Sequence, residues 1–224
     1  MSRLRASARN PCGPSRPDDG PSGGPGETRY DISVTTENNS IFEPDGRAIP
    51  YIDEMSEGDG PVLVLIPGRG LEGGALGSVA HILAGEGIRV LRVGNRKDDD
   101  ATLEDRVQDA SDVMDHVGIG ATWIGGHGVG GTVARALSAK RTDRALGVLL
   151  LGVEDVDVPI APSVPILIIQ GSADDVMPTA NGEKLRASAV ERASLVTIEG
   201  GGHLFPVSDP VDTAFAIEDY LAWD

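Results

Sequence analysis

The chain has 224 residues, a formal net charge of −16, a hydrophobic content of 40% and one cysteine, Cys12. This length suits a single domain and is long enough to bury a full core. The acidic balance argues against a nucleic-acid partner, because too few basic side chains are present to neutralise phosphates in number. A single cysteine excludes an internal disulfide and a cysteine-based metal site.

Residues 1–26 differ in character from the rest of the chain. They are rich in proline, glycine and arginine and contain no apolar run of the kind found in a signal peptide. We expect this tail to be disordered, because it cannot bury enough apolar surface to offset the entropy of ordering. Residues 27–224 are expected to form one domain. No stretch approaches the roughly 20 apolar residues of a membrane span, so we expect a cytoplasmic protein without a membrane partner.

From residue 30 onward, strand patterns alternate with helix patterns. Two short alternating segments, 30–36 and 48–53, predict an antiparallel pair at a sheet edge. The elements predicted after them are strand 61–66, helix 71–85, strand 88–93, helix 102–117, strand 121–125, helix 129–140, strand 145–151, strand 165–169, helix 180–189, strand 195–198 and helix 211–222. Continuous apolar strands that alternate with helices predict an α/β protein with a doubly wound, mostly parallel sheet and helices on both faces.

Four loops that follow predicted strands carry distinctive residues. They are PGRG at 67–70, GHGVGG at 126–131, GSADDVMP at 171–178 and GGH at 201–203. In this order, each directly after a strand, they resemble the α/β-hydrolase superfamily over about residues 45–224. The resemblance implies the α/β-hydrolase fold.

The turn at residues 126–130 departs from the superfamily pattern. In G-x-S-x-G the serine is the nucleophile, whereas the sequence GHGVG places Gly128 at that position. Without a hydroxyl the acyl-enzyme route is lost, so ordinary serine hydrolysis is not expected. His127, just before this position, is expected to pack behind the turn rather than to act in catalysis.

The remaining loops supply the other candidate catalytic groups. By resemblance, His203 is the base, Asp174 orients it, and the backbone N–H groups of Val129 and Arg69 form the oxyanion hole. The alternative is that Asp174 only caps a turn and that His203 is an ordinary loop histidine.

Glu154 and Asp155, at the end of the preceding strand, are a second candidate position for the acid. We expect no cofactor, and four histidines without ligand-like spacing predict no metal site.

Three interpretations of Gly128 remain open. In the first, the protein is a catalytically inactive hydrolase that binds a ligand or a protein partner. In the second, the histidine–aspartate dyad acts as general base on a C–H bond or on water, with the oxyanion hole holding an enolate. The resemblance includes members in peptide natural-product pathways that epimerise a residue in this way. In the third, Ser172, Ser78 or Thr132 replaces the nucleophile, although none of them stands at the turn. We favour the second interpretation.

The segment after the strand that ends near residue 153 bears on the substrate. The chain passes through residues 152–162 almost directly to the next strand, which leaves no room for the lid, or cap domain, that many members insert there. We therefore expect an open cleft for a small molecule or a peptide.

The acidic residues at 98–100 and at 154, 155 and 157 favour a neutral or cationic ligand, unless they form only a solvated rim. Arg69 is expected to pair with a substrate carboxylate or with these acids. The sequence does not indicate an oligomeric state.

Overall fold

The computed structural model describes residues 38–68, 71, 73–97 and 100–222. These residues form an eight-stranded sheet in the order β1-β2-β4-β3-β5-β6-β7-β8. The strands are β1 Asn38–Phe42, β2 Ile49–Glu54, β3 Val62–Ile66, β4 Arg89–Val93, β5 Thr122–His127, β6 Ala145–Leu151, β7 Ile166–Gly171 and β8 Ala193–Ile198. Strands β3 to β8 pair in parallel, while β2 runs antiparallel to both β1 and β4.

Helices cover both faces of this sheet. They are α1 Gly77–Gly85, α2 Leu103–His116, α3 Val129–Lys140, α4 Thr179–Ser188, α5 Phe205–Ser208 and α6 Pro210–Leu221, with short 3-10 helices at Pro44–Gly46 and Gly73–Leu76. None of the helices in the described part of the chain is long and apolar enough to cross a membrane.

The residues of β3 show how the two faces are filled. Leu63 and Leu65 pack in one buried cluster with side chains of α1 and α6, whereas Val64 and Ile66 pack in another with α2 and α3. Successive residues of a strand point to opposite faces, so a strand covered on both sides is apolar throughout. The predicted doubly wound, mostly parallel α/β sheet is therefore confirmed.

Within the described residues the structure differs from the sequence-based elements at two helices, and one predicted strand lies outside those residues. The strand predicted at 30–36 lies outside the described residues, and the strand that pairs with β2 is β1, in the register Asn38↔Asp53 to Phe42↔Ile49. The helix predicted from residue 71 begins at Gly77, after a 3-10 turn, because glycines at the start of the pattern disfavour an α-helix. The four-residue helix α5 was missed, since it is too short to show a period.

The connection from β6 to β7, residues 152–165, contains no helix or strand and so holds no cap domain. It runs along α3, where Arg135 Nη2 donates to the carbonyl oxygens of Val156, at 3.2 Å, and Val158. Farther along, Ala161 N donates to Ser138 Oγ at 3.2 Å. The segment is thereby held against the helix.

Helix α3 approaches the sheet backbone to backbone. A Cβ atom on Gly126 would lie 2.3 Å from the carbonyl carbon of Gly130, and a Cβ on Gly130 would lie 2.1 Å from the carbonyl oxygen of Ile66. Only glycine permits such contacts. The first turn of α3 is therefore fixed against β3 and β5, and with it the turn that joins β5 to α3.

Candidate active site

Gly128 forms the turn between β5 and α3. It is buried and has φ 53° and ψ −119°, a region that costs a residue with a side chain about 1–3 kcal/mol. Gly128 N donates to Leu151 O at 2.9 Å, and its carbonyl accepts from Thr132 N at 3.2 Å. The sharp strand-to-helix turn expected of a nucleophile position is present, with glycine at its apex.

Asp174 lies in the loop after β7, and its side chain is fully buried. Its Oδ1 accepts hydrogen bonds from Val176 N at 2.9 Å and Met177 N at 2.8 Å, as in an Asx turn. Its Oδ2 lies 3.1 Å from His203 Nδ1. Asp174 thus caps a turn and also contacts His203, so capping the turn is not its only contact.

His203 follows β8, and about 25% of its side chain is exposed. An ionised carboxylate only accepts hydrogen bonds, so the contact with Asp174 fits the imidazole that carries a proton on Nδ1; in the neutral form of that tautomer the lone pair lies on Nε2. A Cβ atom on Gly128 would lie 3.8 Å from His203 Cε1. The imidazole therefore stands beside the position from which a hydroxyl would project.

Met177 occupies part of the same space. Its terminal methyl carbon lies 3.3 Å from the Cβ position of Gly128. The backbone of this loop is held by Gln170, a fully buried residue whose Nε2 donates to Met177 O at 3.3 Å and to Pro178 O at 3.1 Å. Gln170 Oε1 accepts from Val153 N at 2.7 Å, so one amide joins the loops after β6 and β7. The sequence analysis did not identify Met177 or Gln170 as parts of this site. A polar side chain inside the otherwise apolar strand β7 was the signal that could have indicated Gln170.

His127 lies behind the turn and is almost completely buried. Its Nε2 donates to the carbonyl oxygen of His203 at 2.8 Å, and the two rings lie 4.7 Å apart. Its Nδ1 has no hydrogen-bond partner among the described residues. Burial lowers the pKa of His127 from its ordinary value, and the hydrogen bond to the His203 carbonyl only partly opposes this. His127 is thus a neutral group that holds the backbone of His203.

This burial predicts a pH dependence of stability. Because the pKa of His127 is lower in the folded than in the unfolded chain, its contribution is complete above the ordinary value of 6.5 and is lost as the pH falls below it. We expect the free energy of unfolding to decrease by up to about 1.4 kcal/mol per pH unit from this group. In His127→Gln, whose amide also donates a hydrogen bond but does not titrate, the slope measured by urea unfolding should be smaller. His116→Gln, which removes an exposed histidine, is the matched control. Equal slopes in wild type and His127→Gln would contradict the prediction.

The other predicted site residues lie as follows. Arg69 falls outside the described residues. Val129 is the first residue of α3, where the backbone N–H has no acceptor within the helix. Glu154 Oε2 accepts from Thr132 Oγ1 at 2.7 Å, and Asp155 pairs with Lys184 Nζ at 2.7 Å. The carboxylate that contacts His203 is therefore that of Asp174.

None of the hydroxyls considered as substitute nucleophiles stands at the turn apex, which Gly128 occupies. Ser172 Oγ accepts from Gly200 N at 2.7 Å and lies 3.2 Å from Glu199 Oε1, at the exposed end of β7. The hydroxyl of Thr132 donates to Glu154. Ser78 belongs to α1.

Known structures share this arrangement of strands and helices. A predicted CIB-like hydrolase from Thermoplasma acidophilum is 16% identical, with a TM-score of 0.72 over 84% of this chain and 98% of that one. A serine hydrolase involved in carbazole degradation, the CarC enzyme, is 18% identical, with a TM-score of 0.72 over 84% of this chain and 100% of that one. A thermophilic esterase from Thermogutta terrifontis is 19% identical, with a TM-score of 0.66 over 84% and 98%. At these identities the likeness concerns the fold.

Comparison of the sequence with known families, unlike comparison with individual curated proteins, gives a match. No curated protein sequence matches the chain. The profile described as "Alpha/beta hydrolase family" matches residues 62–205, which is more than half of the chain and runs from the start of β3 into α5. The chain belongs to the alpha/beta hydrolase family.

Proposed function

We propose that the protein is a non-hydrolytic or weakly hydrolytic enzyme in which His203 acts as general base and Asp174 orients it. The observation that carries this proposal is the 3.1 Å contact between His203 Nδ1 and Asp174 Oδ2, next to the Gly128 turn. A buried carboxylate held by two backbone N–H groups keeps the imidazole in the tautomer whose Nε2 accepts a proton. Geometry of this kind serves proton transfer with or without a nucleophilic serine.

The proposed reaction starts with removal of a proton from a carbon next to a carbonyl group. His203 Nε2 takes the proton, and the electrons of the C–H bond move towards the carbonyl oxygen to give an enolate. The N–H of Val129 stabilises that oxygen, with a second donor proposed at Arg69. Return of a proton to the carbon completes an epimerisation or isomerisation, and loss of a β-substituent gives lyase chemistry. With water in place of the C–H group, the same base supports direct hydrolysis.

The surroundings of the dyad support a small-molecule or peptide substrate. Gly128 contributes no side chain to the space beside His203, and the β6–β7 connection contributes no cap. Val176 and Leu204, which flank the dyad in sequence, are exposed apolar residues and offer contact area to such a ligand.

Hydrogen–deuterium exchange at carbon tests this proposal. Short peptides with neutral or basic side chains are incubated with the protein in D2O and analysed by mass spectrometry. The wild type is expected to introduce deuterium at a carbon-bound position, and His203→Ala to lower the rate by about 10²–10⁴-fold. Asp174→Asn should lower it as well, since an amide N–H that donates to Nδ1 favours the tautomer with the proton on Nε2, which cannot act as the base. Exchange that persists unchanged in His203→Ala would refute the role of the base.

One observation favours a second candidate, a pseudo-hydrolase that binds a ligand or a protein without turnover. The methyl group of Met177 lies where a nucleophile would need room, 3.3 Å from the Cβ position of Gly128. Binding of a ligand without conversion, unaffected by His203→Ala, would support this candidate over the enzyme.

A further inference from the structure

Gln170 is a fully buried polar residue near the carboxyl end of β7. Its side chain lies under α4, since a Cβ atom on Gly182 of that helix would lie 2.8 Å from Gln170 Cγ. The other buried residues on this face of β7, Ile166 and Ile168, are apolar. Burying an amide costs free energy unless its hydrogen bonds are made, so the amide of Gln170 needs partners inside the protein.

The amide makes three hydrogen bonds, all of them to backbone groups of loops at one edge of the sheet. Nε2 donates to Met177 O at 3.3 Å and to Pro178 O at 3.1 Å, and Oε1 accepts from Val153 N at 2.7 Å. The carbonyl oxygen of Val153 in turn accepts from Asn181 Nδ2 at 2.9 Å. Gln170 therefore fixes two carbonyl groups of the loop after β7 relative to the chain after β6.

The part of this loop before Asp174 is held by the backbone. Ser172 N donates to Ile198 O at 3.0 Å, and Ala173 N donates to Gly201 O at 2.9 Å. These bonds join the start of the loop to the end of β8 and to the chain after it. They locate the main chain of Asp174, whereas the direction of its carboxylate depends on the groups that bind its oxygens.

The part of the loop after Asp174 sets that direction. The N–H groups of Val176 and Met177 converge on Oδ1, at 2.9 and 2.8 Å, and Oδ2 is the oxygen that lies next to His203. In the described part of the chain, this side of the loop makes no backbone hydrogen bond to β6, β7 or β8. The side chain of Gln170 takes the place of such a bond, because it binds the carbonyl of the same Met177.

We propose that Gln170 is a positioning residue for the dyad. Through the backbone of Met177 and Pro178, it directs the carboxylate of Asp174 at His203 Nδ1. A carboxylate that has moved away from Nδ1 no longer selects the tautomer whose Nε2 accepts a proton. The effect on the reaction rate rests on the proposed role of His203 as base, whereas the effect on the tautomer can be measured without any reaction.

Gln170→Met tests the proposal, because it removes the three hydrogen bonds and keeps a long, unbranched side chain. The nitrogen chemical shifts of the His203 ring, measured by NMR at alkaline pH and assigned with His203→Ala, report which nitrogen carries the proton. The wild type is expected to carry it on Nδ1, and Gln170→Met is expected to show a mixture of both tautomers. Deuterium exchange by the variant should be about 10–10²-fold slower, as for a base displaced by about 1 Å.

Gln170→Glu is the variant that decides if Gln170→Met does not fold. It keeps the shape of the side chain and an acceptor for Val153 N, but it has at most one donor for the carbonyls of Met177 and Pro178. We expect the same mixture of His203 tautomers and a lower exchange rate, both to a smaller extent than for Gln170→Met.

Thr122→Val is the matched control. Thr122 is also fully buried and also donates to a backbone carbonyl, that of Val62. It lies at the start of β5, however, at the opposite end of the sheet from the loops of the candidate site. The variant should lower the midpoint of thermal unfolding, as Gln170→Met does, and leave the His203 tautomer and the exchange rate unchanged.

Two results would each overturn the proposal. The first is a wild-type tautomer together with a wild-type exchange rate in the folded Gln170 variants. The second is the same change of tautomer in Thr122→Val, because the dyad would then respond to any loss of stability. Failure of the proposed function gives a different pattern: the wild type introduces no deuterium, while the tautomer still distinguishes Gln170→Met from the wild type.

Discussion

Gly128→Ser is expected to raise the hydrolysis of p-nitrophenyl acetate well above that of the wild type. The new hydroxyl projects from a carbon 3.8 Å from His203 Cε1, beside a base that Asp174 already orients. We expect a gain of about 10²-fold or more over the wild type, a small part of the roughly 10⁶-fold that a complete triad gives. The measurement is release of p-nitrophenolate by the purified variant.

Three further variants control this experiment. Gly128→Ala carries the same backbone strain of about 1–3 kcal/mol without the hydroxyl, so it should fold like the serine variant and stay inert. Gly128→Ser combined with His203→Ala should lose the gained activity. Gly128→Ser combined with Met177→Ala removes the methyl group that lies 3.3 Å from the new Cβ atom and should hydrolyse faster.

The outcomes separate the two candidate functions. Activity that needs both the serine and His203 supports a competent dyad and a usable oxyanion site. A folded Gly128→Ser that stays inert even with Met177→Ala supports the pseudo-hydrolase. Strong hydrolysis by the wild type would contradict our reading of Gly128 altogether.

Gly130→Ala is expected to destabilise the fold by at least about 4 kcal/mol or to prevent folding. Its Cβ atom would lie 2.1 Å from Ile66 O and 2.6 Å from Pro67 O, both backbone atoms of the chain at the end of β3. Neither atom can yield without moving β3 away from α3, so this change exceeds an ordinary overpacking cost of about 1–3 kcal/mol. Urea unfolding of the purified variant measures the effect, and insolubility on expression counts as the extreme case.

Gly85→Ala is the matched control, because it also adds a methyl group to a glycine in a helix. Nothing lies within 4 Å of its Cβ position, which is exposed at the end of α1. Here we expect a gain of about 0.5–1 kcal/mol from helix propensity. Similar unfolding midpoints for Gly130→Ala and wild type would mean that α3 does not pack on β3 as closely as described.

The strands that form the centre of the sheet could be predicted because burial on both faces leaves a continuous apolar run, as in β3. Strand β1 could not, because only Ile41 and Phe42 of its five residues are apolar. Its pairing depends on the exposed edge of β2 rather than on its own pattern. Local sequence specifies an edge strand weakly for this reason.

In the candidate site, too, the sequence could locate some residues and not others. Asp174 and His203 could be located because each lies in a short loop directly after a strand, and parallel strands bring such loops to one edge of the sheet. The positions of Met177 and Gln170 depend on how three loops pack together, which no period or motif encodes. Arg69, proposed as an oxyanion donor, lies outside the described residues and stays a prediction.

The two hydrogen bonds that hold His203, one to its ring and one to its backbone carbonyl, have a consequence for the kinetics of ligand association. Asp174 contacts the ring and His127 contacts the carbonyl, so groups of the protein itself hold both the side chain and the backbone of His203. Preorganised groups do not have to be ordered when a ligand arrives, which removes an entropic cost of binding. We therefore expect association at this site in a single step, with an observed rate that rises linearly with ligand concentration and shows no plateau from a slow conformational change.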